Sequence, residues 1–136
     1  MKNKETQIDI KLKEWIRKAY DDELNARSIL KHRDGTPSGV CFLSQQMAEK
    51  LFKVVLILKQ ERFPKIHNLL KLLEIIIKFD NDFRELKKSA IILNEFYITS
   101  RYPDDLQEFS WEDAEEAFEA TEKIKKFVLN KIKVKA

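Results

Sequence analysis

Glycine and proline are nearly missing from this chain, with two of the first and three of the second in 136 residues. Turn chemistry is therefore confined to a few places, and a sequence rich in Leu, Ile, Lys and Glu with so few breaks predicts long helices and few connections. Cysteine is reduced to Cys41, which excludes an internal disulfide and any multi-cysteine metal site and points to a reducing cytoplasm. Only two histidines occur, with no His-x3-His and no Glu-x2-His pair, so no metal centre is expected. No glycine-rich phosphate loop is present, and no strand-turn-helix elbow exists to present a nucleophilic serine. No cofactor is implied. Long apolar runs are also missing. The most apolar stretch, Leu69 to Ile77, is interrupted by Lys71 and Glu74 and is too short to span a bilayer. The polar segment Met1 to Asp9 lacks the apolar core of a signal peptide. The expectation is a cytoplasmic protein with no membrane contact.

What remains is enough for a core. Hydrophobic residues make up 43% of the chain, which argues against disorder, and the length suits one domain over 1–136. Charged residues make up 36%, with both signs interspersed, as on solvated helix faces. The net charge of +3 permits contact with phosphate without demanding nucleic acid.

Helical periodicity predicts a first helix from about Asp9 to Lys31, with Leu12, Trp15, Ile16, Ala19, Ala26 and Leu30 on one face. The segment 32–39 holds both glycines and one proline and reads as a loop. A second helix from about Val40 to Gln60 is apolar over half its circumference, which places it in the middle of a bundle. Met47, Leu51 and Val55 should be among its buried residues. Its opposite arc gathers Gln45, Gln46, Glu49, Lys50 and Lys53. A short helix follows Pro64, from about His67 to Lys78, and a fourth runs from about Asp82 to Ser100. Ser110 and Asp113 form a capping-box pattern ahead of a last helix, about Trp111 to Val134. Short loops between long helices predict an all-α, antiparallel up-and-down four-helix bundle with one extra short helix. Two residues do not fit their faces. Glu23 falls at the centre of the first helix's apolar face and needs a partner, with Arg27 and Lys125 the candidates, and Asn94 lies on the inward face of the fourth helix.

Four pieces occur in a recognisable order. Trp15-x3-Ala19-x2-Asp22-x3-Ala26 comes first, then Cys41-Phe42-Leu43-Ser44-Gln45-Gln46-Met47-Ala48-Glu49-Lys50, then Lys65-Ile66-His67-Asn68-Leu69, then Arg101-Tyr102-Pro103-Asp104. Together they resemble the HEPN domain (higher eukaryotes and prokaryotes nucleotide-binding) over roughly Leu12 to Val128. The resemblance implies a helical bundle that usually dimerises. Such a domain commonly works with a minimal nucleotidyltransferase, in a pair read as nucleotide-binding or as toxin and antitoxin. It also implies that Arg62 and His67, at the spacing Arg-x4-His, could form a metal-independent ribonuclease site. There the histidine would handle a proton near the 2′-hydroxyl and the arginine would steady charge on the phosphate.

Two readings of the polar residues stay open. Gln45, Gln46, Lys50 and Lys53 form either a solvated face or a ligand surface, with Arg101, Tyr102 and Asp104 as further ligand candidates. Arg101 with Asp104 equally suits a loop-locking ion pair, and His67 equally suits a helix-start residue with a structural hydrogen bond. The expected function is a homodimeric nucleotide- or RNA-associated binding module. The alternatives are a ribonuclease toxin using Arg62 and His67, or a bundle that serves only assembly.

Overall fold

The computed structural model describes residues 7–59, 65, 67–101 and 108–135; the side chains of residues 8, 97–101 and 133–135 are outside the description. Five α-helices and one 3-10 helix make up the described residues, with no strand among them. They are α1 (Gln7–His32), α2 (Pro37–Leu58), α3 (Leu69–Ile77), α4 (Lys87–Arg101) and α5 (Trp111–Lys135), with the 3-10 helix at Asn81–Leu86 leading into α4.

Pairs of contacts fix the directions. Lys50 reaches Asp22 and Lys53 lies over Trp15, so α1 and α2 run antiparallel. The rings of Phe83 and Phe127 meet edge to face at 4.9 Å, and those of Phe96 and Phe109 at 5.1 Å, so α4 and α5 are antiparallel as well. α2 packs against α1, α3, α4 and α5, and is the helix around which the others gather. Its Val40, Cys41, Ala48, Phe52, Val54 and Leu56 are fully buried, and Met47, Leu51 and Val55 nearly so. The core therefore sits where the apolar half of α2 predicts.

The helix ends follow local chemistry. α2 begins three residues earlier than the loop reading of 32–39 allows. Thr36 is its N-cap, with its hydroxyl accepting from the Gly39 amide at 3.0 Å, and Pro37 opens the first turn, where a missing N–H costs nothing. Gly39 thus belongs to a helix. α1 closes on Arg33, whose left-handed backbone (φ 57°) lets its amide reach the Ile29 carbonyl at 2.8 Å. The Arg33 guanidinium then lies 4.3 Å from the Trp111 ring centre and pairs with Glu115 at 3.1 Å, which docks the short loop on the start of α5. That start carries the expected capping box. The Asp113 amide donates to the Ser110 hydroxyl at 3.1 Å, and the Ser110 amide donates to the Asp113 carboxylate at 2.9 Å. Residues 82–86, expected as the first turns of the fourth helix, are 3-10, with Asp80 as cap.

Candidate functional site

The polar arc of α2 does not form a solvated face. Gln45 is fully buried, Glu49 is 5% exposed and Lys53 is 9% exposed. Only Gln46 and Lys50 reach the half-buried range. The physical reason is position: α2 is packed by four other helices and Phe42 is the one exposed side chain along it, so even its polar residues end up against a neighbour. For Gln45 and Glu49 that neighbour is the segment leading into α3, and for Lys50 and Lys53 it includes α1.

Glu49 is the hub. Its Oε2 receives Lys53 Nζ at 2.8 Å, one turn along α2, and meets His67 Nδ1 at 2.9 Å. Its Oε1 is buried and has no hydrogen-bond partner among the described residues. Gln45, one turn earlier, donates from Nε2 to the His67 carbonyl at 3.2 Å, and Gln46 donates to the Gln45 amide oxygen at 2.7 Å. Four of the residues singled out in the sequence, Gln45, Gln46, Lys53 and His67, are therefore brought into one hydrogen-bonded cluster. Glu49, recognised only as part of the stripe, is the residue that connects them. The sequence does carry a signal for it: Gln45, Glu49 and Lys53 recur every four residues and so stack along one line of the helix.

His67 is held twice, through its carbonyl by Gln45 and through its ring by Glu49, yet its side chain is 48% exposed. The structural hydrogen bond expected at this helix-start residue exists. Glu49 holds the ring at Nδ1, and a ligand would meet the exposed half of the side chain. The helix that follows cannot serve as an anion site. Asn68 accepts from the Leu70 and Lys71 amides at 3.0 and 3.2 Å, and the Leu69 amide donates to the Asn94 side-chain oxygen at 3.0 Å. This also explains Asn94, which caps α3 from across the bundle. With those amides taken, negative charge on a ligand must be met by side chains.

Lys50 stands apart from the cluster. It pairs with Asp22 of α1 at 2.6 Å, both residues being less than one-fifth exposed, so it ties α1 to α2. α4 extends seven residues beyond Asn94 to Arg101, about 10 Å at the α-helical rise, so its end lies on the same side of the bundle as the start of α3. The Arg101 side chain, and Arg62, Tyr102 and Asp104 altogether, lie outside the described residues.

Glu23, the other misfit of the sequence, sits in the seam between α1 and α5. It accepts from Lys125 at 2.6 Å and Arg27 at 3.0 Å, so both candidate partners are used, and Arg27 also reaches Glu122 at 3.1 Å. Burial pushes Glu23 up, but hydrogen bonds from Glu122, Lys125 and Arg27 outweigh it and hold the carboxyl below its ordinary value. Burial, together with the hydrogen bond and negative charge of Glu23, pushes Glu122 up. Cys41 is buried in the α2 core, and desolvation with Asp113 and Glu116 nearby pushes its thiol to about 12, so it is inert as a nucleophile. Among the described residues no group of acidic, cysteine and histidine side chains could hold a metal ion, and no helix is long and apolar enough to cross a membrane.

The HEPN domain family matches residues 12–132. The crystal structure of TT1696 from Thermus thermophilus is similar to this chain with a TM-score of 0.77 and 27% identity, over 88% of this chain and 97% of that one. ST0689, described as an archaeal HEPN homologue, is similar with a TM-score of 0.71 and 27% identity, over 89% of this chain and 97% of its own. No curated protein matches. A match across nearly the whole chain, on a bundle of the same shape, shows that the protein belongs to the HEPN domain family.

Proposed function

We propose that the chain is a nucleotide- or RNA-associated binding module, acting as a homodimer beside a minimal nucleotidyltransferase in a toxin-antitoxin-like pair. The observation that carries the binding site is the cluster on Glu49: a buried carboxylate holds a nearly buried lysine and a half-exposed histidine ring side by side between α2 and α3. Lysine and histidine supply donors to phosphate, and the Gln46 amide offers both a donor and an acceptor to a base edge. The dimer and the nucleotidyltransferase follow from what the family implies.

The test is fluorescence anisotropy with a labelled single-stranded RNA oligonucleotide at 50 and 200 mM salt. Binding should weaken with salt, since phosphate contacts release counterions. Lys53→Gln and His67→Ala should each lower affinity several-fold and reduce the salt slope. Binding that neither substitution alters would remove the site from this surface.

The ribonuclease reading also has a specific observation behind it. Holding Nδ1 on a buried carboxylate orients the His67 ring and favours one tautomer, as a general base requires. With Arg62 as its partner, RNA cleavage in EDTA should be lost in both His67→Ala and Arg62→Ala, with the thermal midpoint little changed. Cleavage that survives both, or is never present in the wild type, discards this reading.

A further inference from the structure

We propose that Trp15 is the base-stacking platform of this site, with Lys18 and Lys53 at its rim, and that the ligand it selects is a single-stranded nucleotide chain whose base lies on the indole. The inference rests on the site assigned above and adds the residue that would read the base. Periodicity counts Trp15 among the inward residues of α1, yet it is only half-buried, while Ala19 and Ala26 of the same face are almost completely buried. Leu12, Ile16 and Leu30 of that face are half-buried too, so what sets Trp15 apart is an aromatic ring with lysines beside it.

Two ammonium groups attend that ring: Lys53 Nζ at 5.3 Å from its centre and Lys18 Nζ at 5.8 Å. Lys53 is the same lysine that bonds Glu49 at 2.8 Å, and Glu49 in turn bonds His67 Nδ1 at 2.9 Å. Three short contacts thus lead from the indole to the imidazole, which lie within the span of a dinucleotide. An aromatic face flanked by lysines beside a histidine and a glutamine pair is the combination single strands use: π-stacking for the base and cations for the backbone. Lys18 is exposed and sits three residues along the same helix. Its ammonium makes a loose cation–π contact, which a base can displace, leaving the lysine to follow the phosphate. Stacking is tolerant of sequence, because every base offers a π-face.

The chain holds two tryptophans, so Trp111→Phe makes emission report on Trp15 alone. Trp111 lies at the start of α5 under Arg33 and has no part in the site. Titration of this full-length variant with an octa-adenylate RNA should quench emission, saturating at the same concentrations as the anisotropy change. Ribose 5-phosphate, which has the charge and no base, should not quench. Trp15→Leu should weaken binding roughly 5- to 150-fold, the range that one base-aromatic stack supplies, and Trp15→Phe should retain most of the affinity. Octa-adenylate binding with unchanged emission, or quenching by ribose 5-phosphate to the same extent, overturns the stacking role and leaves the Glu49 site standing. Absence of any octa-adenylate binding overturns both. The emission measurement keeps the native indole at position 15, so it decides the matter even where the leucine variant fails to fold.

Discussion

Two buried carboxylates, Glu23 and Glu49, sit on adjacent helices, the first on an apolar face and the second in a polar arc, and the structure treats them differently. Glu23 meets two permanent cations, Arg27 and Lys125, in a seam where α1 and α5 otherwise touch lightly. Glu49 meets one lysine and a histidine ring that is half in solvent, and keeps one buried oxygen without a hydrogen-bond partner among the described residues. The first arrangement joins helices. The second aims a titratable group outward. A buried ion pair often gives no more stability than a well-packed apolar replacement, so neither carboxylate is explained by stability alone. Arg27 on Glu23 is exposed too, but only Glu49 positions an imidazole ring.

The comparison breaks most sharply when a cation is removed from the closed seam. Lys125→Met leaves Glu23 buried with Arg27 alone, and should cost about 2 kcal/mol in urea unfolding, less than the loss expected when a buried charge has no partner left. Equal stability in the variant would mean that the seam is wet. The same apolar replacement at both carboxylates then sharpens the contrast. Glu49→Leu takes the carboxylate from nearly buried Lys53 and should cost about 2 kcal/mol, whereas Glu23→Leu leaves Arg27 exposed and paired with Glu122 and should stay within about 1.5 kcal/mol of wild type. RNA affinity should be unchanged in Glu23→Leu and reduced at least several-fold in Glu49→Leu.

A smaller effect tests the wall of the site. Asn94→Ala removes the cap on the Leu69 amide and should cost about 1 kcal/mol. It should also loosen His67, visible as faster hydrogen exchange at the start of α3 and not in the α1–α5 seam. The smallest effect concerns pH. Glu122 is raised above 4.5, so its contribution is present below that pH and is lost as pH rises through its folded pKa. Glu23 is lowered, so its contribution is present above 4.5 and is lost as pH falls through its own folded pKa. Glu122→Gln cannot lose a proton, so its thermal midpoint relative to wild type should improve as pH is raised from 4.5 to 7. A constant difference across that range would contradict the upward shift of Glu122.

Much of this is legible in the residues. Period and cap chemistry define the helices, and the Ser110–Asp113 box and the partners of Glu23 stand where the residues place them. The start of α2 is not legible in the same way, because Gly39 and Pro37 signal a turn when taken alone. Thr36 shows that they open a helix, but only once its hydroxyl is seen on the Gly39 amide. The burial of Gln45, Glu49 and Lys53 is hidden for a different reason. A polar arc reads the same whether it faces water or another segment, and only the tertiary path of the chain entering α3 decides which. Asn94 stands out as a misfit, but its partner, a backbone amide 25 residues earlier, leaves no trace in side-chain pattern.

The central claim is that a ligand meets the protein at His67, and the chain carries its own control, since its only other histidine is His32 at the end of α1. The direct measurement is a heteronuclear NMR titration that follows the two imidazole rings as a short single-stranded RNA is added. The account predicts that the His67 ring signals move and saturate while those of His32 stay within the drift of a salt control. Movement of His32 with His67 unmoved, or of neither ring while the RNA is bound, would contradict it.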